Sequence, residues 1–369
     1  MDKKKPLIVA LYLPQFYETE YNNEWWGKGY TEWTACKQAK PLFKGHNQPR
    51  VPLNKNYYDL SVRENIKWQI DLAKEYGIDG FAIYQYYSCG KKLLEVPTEI
   101  IRDDSGLDMP FFLFWANESW KMAWYGQSNK VVWKQEYGTE KDWYDHFIYC
   151  LSFFKDSRYM KIDGKPVYVI YHANDFDEMD RFLEKWNQWA KENGFPGIYF
   201  VKTLGSKDSV ELGKFSSVIT REPVYAFAYD ESFVYRNVRR IRTRILSVLN
   251  KTVFDKRGKG YIRYKVSYDK VWRGIIKRKD QVAPVIYGAF TGWDTTPRRG
   301  YNGILTEGAS PEKFEYYLSQ LYKKAQDNNV SMIVINAWNE WAEGAYLEPD
   351  EKNRFGYLEA VKNTRDKEI

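Results

Sequence analysis

The sequence predicts an α/β fold, a (β/α)8 TIM-like barrel with long loop insertions. Three observations point there. Eight short apolar runs recur along the 369 residues. Most are continuous rather than alternating, as strands buried on both faces of a parallel sheet must be. Polar stretches with helical spacing fall between several of them, which is the alternation of a parallel barrel. Finally, the first run leads into Pro14-Gln15-Phe16. A doubly wound open sheet usually carries a glycine-rich phosphate loop at that point.

The predicted strands are residues 7–13, 80–86, 110–115, 167–172, 198–202, 217–220, 284–288 and 332–337. Residues 1–5 are charged and 6–13 apolar, the outline of a short signal peptide. However, Pro14-Gln15-Phe16 stand where small residues would mark cleavage, so the run reads as a buried strand. Helix signals follow. Ser61 is a candidate cap for 62–76, with Glu64 at capping-box spacing and Gly77 as the stop. Residues 140–155 and 178–193 read as helices, the second ending at Gly194. Ser310 caps 311–328, with Pro311 in the first turn. The stretch 14–59 and a basic block before Pro284 become loops on the barrel. The chain thus reads as one catalytic domain, 1–369, with a basic insertion at about 230–280.

Composition narrows the function. No apolar run reaches the 18 or so residues of a membrane-spanning helix. Cys36, Cys89 and Cys150 are odd in number and widely spaced, so neither a disulfide framework nor a zinc-binding CxxC is expected. A reduced, cytoplasmic location fits best. No His pair lies at metal-ligand spacing, so no metal and no cofactor are expected. Aromatics reach 18% and many sit among polar residues, as in Trp25-Trp26-Gly27 and Trp120-Lys121-Met122-Ala123-Trp124-Tyr125. Aromatic faces stack on sugars, and Tyr and Trp add a polar handle.

Charge is uneven. The net charge is +7, yet 236–279 holds 16 Lys and Arg against Asp255 and Asp269. Val238, Ile241, Ile245, Val248 and Leu249 fall at roughly helical spacing within it. A basic amphipathic helix can lie on an anionic membrane or bind phosphate, and a solvated helix pair is the plain alternative. No nucleic-acid motif accompanies the block, so no nucleic-acid partner is expected.

Barrel enzymes carry their chemistry at the C-terminal strand ends. The third strand ends in Trp115-Ala116-Asn117-Glu118, the seventh in Trp293-Asp294-Thr295-Thr296-Pro297-Arg298-Arg299. The eighth ends in Trp338-Asn339-Glu340-Trp341-Ala342-Glu343-Gly344. There two carboxylates lie three residues apart, on one face once the chain turns helically. Such a pair can split roles, one ionised and one raised in pKa, as glycosidic-bond chemistry requires. A dipole-favoured helix start is the plain alternative. Asn117 and Glu118 are candidates for sugar hydroxyls. Asp294, Arg298 and Arg299 could hold an anionic sugar or phosphate, or simply a loop. Glu32 is a lesser candidate, and His46 and His172 read as structural.

With these motifs in order, the chain resembles the WbsX-type family of bacterial surface-polysaccharide proteins, which is similar to glycoside hydrolase family 99. Tyr12-Leu13-Pro14-Gln15-Phe16, Trp26-Gly27-Lys28-Gly29-Tyr30-Thr31-Glu32-Trp33 and Gly45-His46-Asn47-Gln48-Pro49-Arg50 carry the resemblance at the N-terminus. The third, seventh and eighth strand ends carry the rest. The resemblance implies a link to O-antigen and capsule biosynthesis. The related hydrolases are (β/α)8 barrels that cleave α-mannosides with retention. By that match Glu340 removes the proton of the sugar 2-OH, which attacks the anomeric carbon. Glu343 protonates the leaving oxygen and then serves as base. Where the hydrolases commonly have His, this chain has Ala342, so mannose specificity does not follow. Substrate-binding candidates are Trp26, Glu32, Trp115, Asn117, Glu118, Trp293, Asp294, Arg298, Asn339 and Trp341.

Two other classes compete. A nucleotide-sugar glycosyltransferase would use Asp175-Phe176-Asp177, an acid-x-acid triplet, for Mg²⁺ and a diphosphate. An inactive glycan-binding barrel would keep the cavity without turnover. The expected partner is a glycan or lipid-linked oligosaccharide, with peripheral contact to the inner membrane through 236–279.

Overall fold

The computed structural model describes residues 5–121, 130–205, 210–229, 233–250, 252 and 260–367. Its centre is a closed parallel barrel of eight strands. These are β1 (Leu7–Tyr12), β2 (Gly80–Ser88), β3 (Phe111–Trp115) and β4 (Lys165–Ile170). β5 (Tyr199–Leu204), β6 (Ser217–Thr220), β7 (Val285–Phe290) and β8 (Met332–Asn336) complete it. Each strand pairs with its successor, and β8 pairs back to β1 with Met332 beside Leu7. The apolar run after the charged start is β1, and Ile8 through Tyr12 are buried in it. A Cβ on Gly288 of β7 would come within 1.8 Å of the Thr220 carbonyl oxygen, so only glycine lets β6 and β7 approach so closely.

The flanking helices are α1 (Arg63–Glu75), α2 (Val96–Asp103), α3 (Glu140–Phe154) and α4 (Met179–Glu192). α5 (Phe233–Leu249), α6 (Tyr268–Lys277), α7 (Pro311–Asp327) and α8 (Gly356–Asp366) follow. Among the described residues no helix separates β5 from β6. α3 starts on a capping box in which Thr139 and Asp142 bond each other at 2.8 Å. The barrel is sealed by aromatic packing. Trp272 of α6 is fully buried, stacked on Phe290 of β7 at 5.3 Å and on Tyr317 of α7 at 5.6 Å.

Two expectations need correction. Ser61 does not cap α1. Its hydroxyl turns back to Asp59 Oδ1 at 2.6 Å, the helix starts at Arg63, and Val62 holds the cap position with no side-chain bond to it. The basic insertion is also shorter than 230–280. Its last part is α6, a barrel helix whose Tyr268, Val271, Trp272 and Ile275 are buried. The basic residues there lie on the outer face, so charge count alone did not separate a loop from an amphipathic barrel helix. Residues 122–129 of the aromatic stretch and 251 and 253–259 of the basic block lie outside the described residues.

Candidate active site

The stretch between β1 and α1 folds over the C-terminal mouth of the barrel. Two short helices, Glu20–Trp26 and Glu32–Gln38, form there. Trp33 locks the second in place: its ring meets Phe16 at 4.6 Å and its indole N–H donates to the Tyr58 carbonyl at 2.8 Å. A cavity of about 690 Å³ remains between this cover and the strand ends. Its wall carries both signs of charge, with Glu118 after β3 and Arg298 after β7 among its lining. Glu32, Glu340 and Glu343 stand on the β8 side. Tyr84, Tyr86, Trp120 and Tyr171 stand above β2 to β4. Arg221, Arg239, Arg240 and Arg299 come from β6, α5 and the segment after β7.

The carboxylates converge on one cation. Arg298, on the turn Thr296–Arg299, donates to Glu340 Oε1 at 3.0 Å, to Glu343 Oε1 at 3.0 Å and to Glu32 Oε2 at 2.8 Å. Its side chain is only 11% exposed. Planar guanidinium donors suit such multiple carboxylate contacts. Burial pushes the Glu340 carboxyl well above the usual carboxylate range. The Arg298 charge opposes that rise, while Glu343 and Glu32 add to it. Among the described residues no three His, Cys, Asp or Glu side chains converge as metal ligands would.

The chain around the pair is braced locally. Glu340 ends a two-residue antiparallel ladder in which it faces Ala345, and Gly344 closes the turn at φ +62°. A Cβ on Gly344 would sit 2.7 Å from Arg50 Cζ, and Arg50 Nη1 donates to the Gly344 carbonyl at 3.1 Å. Both the left-handed backbone and the Arg50 contact therefore call for glycine.

Of the twelve catalytic and substrate-binding candidates from sequence, Trp26, Glu32, Glu118, Trp293, Arg298, Glu340 and Glu343 line the cavity, as does Arg299, the further candidate anion holder. The other five lie behind its wall. Trp115 donates to the Tyr87 carbonyl and stacks on Phe182. Asn117 bonds Tyr137 and the backbone of His172. Asn339 holds the Leu13 backbone from both sides, and Trp341 donates to Glu348 and stacks on Tyr346 at 3.8 Å. Asp294 is fully buried. Its oxygens face His46 at 3.0 Å and accept from Gln48 at 2.8 Å and from Thr296, with Arg50 at 3.7 Å. Burial alone would raise this carboxyl, but the His46 bond, the Arg50 charge and the bonds from Thr296 and Gln48 bring it down to about 2. These side chains hold the site's loops rather than face its space.

Sequence reasoning missed Tyr84, Tyr86, Tyr171, Arg221, Arg239 and Arg240. Tyr171 and Arg221 directly follow β4 and β6, so a stricter reading of strand ends would have found them. Asp175 and Asp177 are exposed and do not line the cavity. Phe176 between them is buried, stacked on Tyr137 at 4.2 Å.

Comparisons with known proteins agree with this architecture. The model of the family described as Glycosyltransferase WbsX matches residues 8–361. WxcX of Xanthomonas campestris pv. campestris strain B100 is 30% identical over 365 residues, which is 96% of this chain and 49% of that protein. The chain thus spans about half the length of the curated relatives it matches. Among solved structures, a glycoside hydrolase-like protein superposes with a TM-score of 0.61 at 13% identity, covering 98% of this chain and 94% of that one. The GH99 endo-alpha-mannosidase from Bacteroides thetaiotaomicron superposes with a TM-score of 0.54 at 15% identity, covering 97% and 96%. At such identities the likeness is one of fold.

Proposed function

The chain belongs to the WbsX glycosyltransferase family, and from that premise we propose that it makes or breaks glycosidic bonds in bacterial surface-polysaccharide assembly, with Glu340 and Glu343 as its working pair. The observation that carries this reading is that both carboxylates face the cavity and share Arg298.

In the proposed reaction Glu340 takes the proton of the sugar 2-OH, and that oxygen attacks the anomeric carbon. The bond to the leaving oxygen breaks as Glu343 donates its proton to it. In the second half Glu343 accepts a proton from water or an acceptor hydroxyl, which attacks the anomeric carbon. The 2-oxygen departs and recovers its proton from Glu340. Burial suits Glu340 to this task, because a raised pKa makes a stronger base once ionised. Tyr84, Tyr86 and Trp120 offer ring faces for the sugar, while the Tyr171 ring carries the Arg221 guanidinium at 4.5 Å. The remaining proposed contacts are Trp26, Glu32, Glu118, Trp293 and Arg298; Trp115, Asn117, Asp294, Asn339 and Trp341 support them from behind.

Incubating the protein with α-manno-oligosaccharides and following mass by chromatography tests the reading. Shortened or lengthened glycans that vanish in Glu340→Gln support it. Turnover only with a nucleotide sugar and Mg²⁺, abolished by Asp175→Asn, would favour the nucleotide-dependent alternative.

We further propose that α5 rests on an anionic membrane. Val238, Ile241, Ile245 and Val248 are 59, 61, 54 and 59% exposed. At 100° per residue they form one stripe, and Arg242 and Arg244 flank it on opposite sides. Apolar insertion flanked by cations is the geometry of an interfacial helix. Among the described residues no helix is long and apolar enough to cross a membrane.

A further inference from the structure

The arginine side of the cavity is not used by the carboxylate chemistry. Arg221 follows β6, Arg240 sits on α5, and Arg299 follows Arg298 beyond β7. All three line the cavity, and none makes an ion pair among the described residues. Arg221 lies over the Tyr171 ring at 4.5 Å, and Arg239 beside them donates to the Phe227 carbonyl at 2.9 Å and lies over the Tyr264 ring at 4.6 Å. We propose that Arg221, Arg240 and Arg299 bind a phosphoryl group carried by the sugar substrate, an inference that rests on reading the cavity as a glycan site.

The physical case is one of charge balance. Arg221 and Arg299 are half-buried and Arg240 is exposed; a half-buried guanidinium without a carboxylate partner is costly. Burial lowers the pKa of Arg299; Glu343 opposes that, and the neighbouring charges of Arg298 and Arg263 add to it. An anion placed there relieves all three cations at once. A sugar carboxylate brings a single negative charge, whereas a diphosphate diester brings two and more acceptor oxygens, closer to what three forked cations can satisfy. Arg298 pairs with Glu32, Glu340 and Glu343 and absorbs much of their charge, although Glu343 still acts on Arg299. The sugar would then lie across the tyrosines, with its reacting carbon over the Glu pair and its phosphoryl group on the opposite wall.

Calorimetric titration at low ionic strength tests this with inorganic pyrophosphate, UDP, farnesyl diphosphate and galacturonate. Pyrophosphate is expected to bind, to weaken at least tenfold in Arg221→Gln and in Arg299→Gln, and to keep most of its affinity in Arg299→Lys. Equal binding of UDP and farnesyl diphosphate through the same arginines assigns the diphosphate itself. A preference for either upholds the phosphoryl group and names its carrier as nucleoside or lipid. No pyrophosphate binding, binding untouched by the Gln variants, or arginine-dependent binding of galacturonate alone overturns the proposal. Glu340→Gln separates this from the catalytic reading: it should spare pyrophosphate while abolishing glycan turnover, so either claim can fail without the other.

Discussion

Arg298, carried by the turn after β7, donates to Glu340, carried by the turn after β8, at 3.0 Å. The same guanidinium reaches Glu343 and Glu32, so one side chain from the seventh strand end sets the spacing and charge of the eighth.

That relationship predicts a pH effect. With Arg298 gone, burial and the two neighbouring carboxylates act on Glu340 without opposition, and its pKa rises further. A base must be ionised to work, so the acid limb of the kcat/KM profile should move to higher pH in Arg298→Met. An unmoved limb would mean that Glu340 is not the titrating base.

The two carboxylates should fail differently. Glu340→Gln should lower kcat by about 10²–10⁴-fold on every substrate, because it removes the base. Glu343→Gln should lose as much on a sugar leaving group, but on an aryl glycoside, whose leaving oxygen needs no proton, its kcat/KM should fall far less while kcat still falls, since the second half needs Glu343 as base. Steady-state rates on the two substrate types check this; equal losses in both variants would contradict the division of roles.

Asp294 predicts an acid-sensitive fold. Its carboxyl is held at about 2, below its ordinary value of 3.8. A lowered folded-state pKa adds stability that is fully present above the unfolded value and is lost as pH falls through the folded one. Asp294 therefore contributes about 2 kcal/mol at neutral pH, lost between about pH 4 and pH 2. Urea unfolding of Asp294→Asn should show that loss already at pH 7 and a flatter dependence below pH 4. Matching acid curves for the two proteins would refute it.

The stripe on α5 predicts salt-sensitive membrane binding. The protein should sediment with phosphatidylglycerol vesicles at low salt and not with phosphatidylcholine alone. Ile241→Glu with Ile245→Glu should abolish this without altering the circular dichroism spectrum. A wild-type protein that ignores the anionic vesicles, or a doubled mass lost in the same variant, would rule out the membrane in favour of no partner or of a second copy.

The barrel was legible because strands buried on both faces read as unbroken apolar runs, as Ile8 to Tyr12 and Met332 to Ile335 do. Helix starts were harder, since Ser61 has the right residue type at the right place but bonds Asp59 instead. The site was half legible. Glu340, Glu343 and Arg298 stand out as charges at strand ends. Asp294 stands out equally, yet it points into the protein toward His46 and Gln48, partners some 250 positions away that no local pattern reveals. Tyr84 and Tyr86 escaped for the opposite reason: on a buried strand they look like core until the barrel closes and leaves space above them.

The most direct test of the central claim is calorimetric titration of the protein and of Glu340→Gln with a manno-configured iminosugar. Its ring nitrogen mimics the charge that develops near the anomeric carbon. Binding by the wild type that weakens at least tenfold in Glu340→Gln is the predicted result. Equal affinity in both proteins would contradict the assignment of Glu340 and Glu343 to the reacting bond.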